Sequence, residues 1–281
     1  MKAALLFVAL GVSSLQAGES VALVARHTQG DVFEEKESFW RSASGASLGT
    51  EDNKPAFGWN TAAVLAVERA GEQVRASDST ILDEVLSVKD GKRVKVKRTF
   101  LVSTSTLVDT AGAESTPRLA RAAFEGQSVV LVADGDGTRI VGELDGEEEL
   151  EASDLGLCSR WEQVLPAAPV ASGETWSLSE DASRSLLEGM SVAKATAWCT
   201  LDGVDARTAG KPARIKLVIR ATTSARDEGT SEIEASGTVL WSTEAGHLME
   251  AALSGEIQTT KPDGSDETSK FGLTHEVRKL E

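Results

Sequence analysis

Ser47 stands at the centre of "GASLG", residues 45–49, a G-x-S-x-G pattern in which a serine hydroxyl can act as nucleophile. That chemistry needs a strand before the serine and a helix after it, so that Oγ is exposed above backbone donors for the oxyanion. His247 and His275 follow in the order such a triad requires. The residues that follow, "TEDNKPAFGW", carry Pro55 and lack a helical period, which argues against a serine hydrolase.

A second pattern, "DGDGT" within "VVLVADGDGTRIVGEL", resembles a calcium loop. Counting from Asp134, oxygen ligands would come from Asp134, Asp136 and Thr138. The sixth position, where the backbone must turn freely, is Arg139, and the twelfth is Asp145 in place of the longer Glu. Both flanks read as strands. Gly135 and Gly137 then serve a hairpin turn, with the Asp side chains bonding to turn amides.

Metal ligation by histidine and cysteine finds no support in spacing. His27, His247 and His275 are far apart, and neither H-E-x-x-H nor C-x-x-C occurs. His275 alternates with Leu273 and Val277, as a satisfied residue on a strand face would. No phosphate-binding or dinucleotide-binding glycine loop is present, so no cofactor is expected. Glu147, Glu148 and Glu149 read as a solvated acidic loop.

Cys158 and Cys199 are the only cysteines, and in an exported chain an even count suggests one disulfide, worth about 4 kcal/mol for a loop of this length. Two buried free thiols are the alternative. Six tryptophans and no tyrosine form an unusual split. Trp161 and Trp198 each lie within three residues of a cysteine, while Trp176 and Trp241 adjoin strand-like stretches. These four either pack a core or line an apolar groove for a ligand.

The elements that would position these residues are strands. In "KRVKVKRTFLV", Val94 and Val96 alternate with Lys95 and Lys97. In "ARIKLVIRA", Ile215, Leu217 and Ile219 alternate with Arg214, Lys216 and Arg220. "HLMEAALSGEI" offers Met249, Ala251, Leu253 and Ile257 to one side, and "KFGLTHEVRKL" offers Phe271, Leu273 and Val277. Such alternation belongs to antiparallel strands with one wet face. "KDGKR", "GDGTR", "LDGVD", "EAGH" and "KPDGSD" punctuate them as turns. Short helices are expected from Pro117 to Gly126, from about Asp154 to Pro166, and in "SEDASRSLLEG" behind a cap at Ser179 or Asp181. The fold class is therefore mainly β: a large curved antiparallel sheet, a half-barrel or open barrel, with two or three short helices packed on it.

Residues 1–17 have the layout of a signal peptide: Lys2, an uncharged apolar run and small residues at Ala17 and Gly18. No other stretch has the length and apolarity of a membrane helix, so a periplasmic or secreted location is expected. Residues 18–145 and 173–281 read as β-rich regions, joined by a helical or linker segment at 146–172; one continuous domain from 18 to 281 is the alternative. A net charge of -15 repels phosphate backbones and argues against nucleic acid as a partner.

"GTVLWSTEAGHLMEAALSGEIQTT" and "GETWSLS" resemble the C-terminal part of secreted β-rich bacterial proteins, and are loosely similar to periplasmic lipoprotein carriers of the LolA and LppX type. The resemblance covers about the last hundred residues and carries no site residue. It implies a curved antiparallel sheet that shelters an acyl chain. The chain is thus expected to be a non-enzymatic exported protein that binds a hydrophobic small molecule or lipid, or an envelope protein. A purely structural or interaction module without a pocket is the alternative.

Overall fold

The structure, a computed structural model, describes residues 20–42, 74–108, 118–135, 137–145, 155–187, 190, 192–225 and 229–280. The expected signal peptide at 1–17, Ser47, Trp59, Asp136 and Glu147–Glu149 lie outside them. The first half supplies β1 (Ser20–Val21), β2 (Val32–Ser42), β3 (Val74–Lys89), β4 (Lys92–Val108), β5 (Arg118–Arg121), β6 (Ser128–Asp134) and β7 (Gly137–Val141). The second supplies β8 (Val170–Ala171), β9 (Thr175–Ser177), β10 (Val192–Val204), β11 (Pro212–Ala225), β12 (Gly229–Ser242), β13 (His247–Thr260) and β14 (Asp266–Leu280).

Twelve strands form one antiparallel sheet in the order β7-β6-β4-β3-β2-β14-β13-β12-β11-β10-β9, with β5 added to β4. β1 and β8 pair separately. The sheet is not closed, and β7 and β9 are its edges. Its order follows from hairpins, because an antiparallel meander needs only short turns. Asp90 and Gly91, both at positive φ, make the two-residue turn from β3 to β4. The last strand, β14, lies beside β2 over eleven residue pairs, so one sheet runs through both halves of the chain.

The alternation of β11 is as the sequence suggests: Ala213, Ile215, Leu217, Ile219 and Ala221 are buried, and Arg214, Lys216 and Arg220 are exposed. Two strands depart from it because of bulges. In β13 an irregularity opposite Leu240 and Trp241 buries Leu248 and leaves Met249 half-buried. In β4 an irregularity opposite Ser87 and Val88 sets Val94 out of the ladder, so Arg93 is buried while Val94 is only half-buried. A bulge adds one residue to one strand and reverses which side chains face inward.

Helical structure is sparser than expected. Among the described residues there is one α-helix, α1 (Glu180–Ser185), and one 3-10 turn (Arg160–Val164). Ser179 caps α1, its hydroxyl accepting from the Ala182 amide. The expected helix from Pro117 to Gly126 is instead β5 followed by a turn. The backbone of Arg118–Arg121 bonds to Thr104–Leu107 of β4, beyond the stretch that β6 occupies. A ten-residue helix is marginal alone, and the free edge of β4 offers a full set of partners.

Two apolar clusters lie on the sheet. The larger joins inward residues of β10–β14, such as Ile215, Leu217, Ile219, Val239 and Leu253, to Trp161, Val164, Leu186 and Leu187 above them. The smaller joins Phe100, Phe124, Val129, Leu131 and Leu144. Between them, at the β14–β2 seam and across β3 and β4, charged residues share the inward face with apolar ones such as Phe33, Val85, Val96 and Val277.

Candidate functional site

The inward phase of β2 runs Phe33, Glu35, Glu37, and that of β14 runs His275, Val277. His275 is the direct cross-strand partner of Glu37. Its Nδ1 lies 2.9 Å from Glu37 Oε2 and its Nε2 lies 3.2 Å from Glu35 Oε2. A carboxylate only accepts, so both ring nitrogens carry protons and His275 is an imidazolium. Burial opposes that charge, but the hydrogen bonds to Glu35 and Glu37 and their charges raise its pKa to about 9. Burial likewise opposes both carboxylates. The His275 hydrogen bond and charge, with Arg93 and Arg98, bring Glu35 down to about 2. For Glu37 the Arg160 charge and then His275 do the same, to about 2.

One strand further, Asp83 of β3 faces Arg98 of β4 in direct register. Arg98 donates Nε at 2.7 Å and Nη2 at 2.6 Å to the two Asp83 oxygens, a bidentate fork in which neither side chain reaches solvent appreciably. Arg93 Nη1 stands 3.5 Å from Asp83 Oδ2 and 3.6 Å from Glu35 Oε1, and its guanidinium lies over the Phe33 ring. Glu35 Oε1 and Arg93 Nη1 are buried without a hydrogen bond, so charge alone joins them.

Residues 155–165, a strap that includes the 3-10 turn, complete the cluster. Arg160 Nη2 donates to Glu37 Oε2 at 2.5 Å, and Arg98 Nη2 donates to the Gly156 carbonyl at 2.9 Å. Glu162 Oε2 lies 3.2 Å from His27 Nε2. Four carboxylates (Glu35, Glu37, Asp83 and Glu162) therefore face three arginines and His275, and the charges balance. Balance matters because an unpaired buried charge costs several kcal/mol.

His27, Cys158 and Glu162 bring one ligand atom each within 4.8 Å of one another, the only such trio among the described residues. Their hydrogen bonds do not fit a metal ion. Arg93 Nε donates to His27 Nδ1 at 3.1 Å, which puts the imidazole proton on Nε2, the nitrogen that faces Glu162. A metal-bound histidine instead donates through its other nitrogen. The Cys158 thiol is pushed up to about 12 by burial and by the Glu162 charge, far from the thiolate that a metal takes. Acid–base catalysis fits no better, since both nitrogens of His275 and of His27 are engaged within the cluster.

Of the residues singled out from the sequence, His275 and Cys158 lie at the cluster and the others fall elsewhere. Trp161 and Trp241 are fully buried in the larger core, each with an indole N–H that has no partner. Trp176 is half-buried and donates to the Val164 carbonyl at 2.9 Å. Trp198 is exposed on the opposite face of β10 from Cys199, beside Val218. The four do not share a site. Cys158 and Cys199 are free thiols without a disulfide; burial pushes Cys199 up to about 12 as well. Asp134 pairs with Gly137 where β6 turns into β7, a hairpin as the glycines suggest. An open groove of about 340 Å³ lies at one end of β10–β12, lined by Ala195, Ala221 and Ile233 and by polar residues that include Lys194, Arg220 and Glu234.

Sequence reasoning found His275 as a satisfied strand residue but missed its partners. The available signal was the phase of "VFEEKESFW", which places Glu35 and Glu37 in step with Phe33 and Phe39.

Comparison of the chain with models of known protein families and with curated proteins found no match.

Proposed function

We propose that this chain is an exported, non-enzymatic β-protein that shelters an apolar ligand on the concave face of a curved sheet, as in periplasmic carriers of the LolA and LppX type. The observation that carries this reading is the unclosed antiparallel sheet whose inner face is apolar across β10–β14, ending at an open groove where Ala195, Ala221 and Ile233 lie between outward rows that include Lys194, Arg220 and Glu234. Strand glycines support the curvature. Gly237 and Gly255 occupy inward positions of β12 and β13, where an added Cβ would collide with the neighbouring strand's backbone. Glycine at such points marks a sharp bend or close approach of strands.

The leader-like N-terminus supports delivery to the periplasm or outside the cell, and no helix among the described residues is long and apolar enough to cross a membrane. Purification from the native envelope without detergent, followed by native mass spectrometry and lipid extraction, tests the reading. A bound hydrophobic species that is lost in Ala221→Phe supports it. An empty protein whose affinity for a polarity-sensitive apolar dye is unchanged by that substitution refutes it.

A second reading, an interaction module without a pocket, is favoured by one feature. Trp198 and Val218 are cross-strand neighbours exposed on the outer face, and an exposed aromatic of this kind can anchor a protein interface. Trp198→Ser abolishing capture of an envelope protein, with dye binding intact, would select it.

A further inference from the structure

The strap at 155–165 bridges the two apolar clusters. Trp161 and Val164 belong to the larger, and Leu155 and Leu157 pack against the smaller. Three of its polar contacts end in the ion cluster, Glu37–Arg160, Arg98–Gly156 and His27–Glu162, and a fourth runs from the Trp176 indole of β9 to the Val164 carbonyl. The cluster is also unevenly covered. Asp83, Arg93, Arg98 and Glu35 have side chains at most 5% exposed, whereas Arg160, Glu162 and Glu37 stand at 11%, 17% and 27%. The wetter members are the strap's own Arg160 and Glu162 and the Glu37 that Arg160 grips.

We infer that the strap is a latched flap, released from an otherwise folded sheet when His275 gives up the proton that it shares between Glu35 and Glu37. His275 faces Glu35 and Glu37 from β2, and beyond them Arg93 and Arg98 from β4, Asp83 from β3, and Arg160 and Glu162 from the strap. From β13 it faces Ala251, which carries no charge, and Glu276 is directed to the opposite face. Loss of the proton leaves one nitrogen lone pair against a carboxylate and one negative charge without a counter-charge. Water relieves such a charge most cheaply where the wall is already thin, at Glu37 and Arg160. The Glu37–Arg160 link is then solvated, and the strap loses one of the contacts that fix it over the seam. This device is independent of the ligand reading, since it concerns only how the inner face is covered.

Native-state hydrogen exchange resolved by mass spectrometry tests it, with rates corrected for intrinsic exchange. Between about pH 6 and pH 9.5, peptides spanning 155–165 should lose about tenfold more protection than β12 and β13 peptides do. His275→Gln should show the same local loss already at about pH 6. Arg160→Met cuts the strap side of the latch and leaves the His275 contacts intact, and should open the strap at both pH values even where His275→Gln fails to fold. Strap protection that ignores pH and Arg160→Met, or that falls only in parallel with β12 and β13, overturns the inference.

Discussion

Glu37 and Arg160 are separated by 123 positions in the chain and by 2.5 Å between Oε2 and Nη2. That contact ties a strand of the seam to the strap above it, and Glu37 shares the same oxygen with His275. Charged side chains of the inner face are thus used against one another, in a balanced lock at the middle of the sheet.

Stability should peak in mildly acidic solution. Glu35 and Glu37 are held at about 2 against an ordinary 4.5, so their contribution is present above 4.5 and disappears as pH falls towards 2. His275 is raised from 6.5 to about 9, so its contribution is complete below 6.5 and disappears as pH rises through 9. Urea midpoints measured across pH should form a plateau between the two windows and fall by a few kcal/mol equivalent on each side.

The Asp83–Arg98 fork should behave as a unit. Arg98→Met or Asp83→Leu alone strands a buried charge and should cost about 3–5 kcal/mol, whereas the double substitution should be much closer to neutral. A double-mutant cycle from denaturant titrations measures the difference.

The alternating strands and most hairpins were legible in the sequence because inward and outward residues differ in polarity at every second position. Arg93 was not, since the bulges around Ser87 put it inward where simple alternation names Val94. The cluster as a whole was hidden for another reason. Its members are single residues from Glu35 to His275, each unremarkable locally, and only the pairing of the first long strand with the last brings them together. The Pro117–Gly126 segment carried real helix signals, but the unoccupied edge of β4 outweighed them.

Trp241→Phe and Trp161→Phe should each cost under about 1.5 kcal/mol, because removing a buried indole N–H without a partner offsets part of the lost packing. Alanine at either position should cost about 3–5 kcal/mol. Thermal and urea unfolding of the four variants compare these directly.

Thiol counting bears on the cysteines. With both pushed up to about 12, Cys158 and Cys199 should resist Ellman's reagent at about pH 8 in the folded protein. Both should react in denaturant without added reductant. Absence of reaction there would reveal a disulfide.

The claim that the cluster is a balanced lock is tested most directly by the imidazole nitrogens of His275. A ¹⁵N NMR titration should show both nitrogens protonated at pH 7, with the change to neutral centred near 9. A single protonated nitrogen at pH 7, with a midpoint at or below the ordinary 6.5, would contradict it.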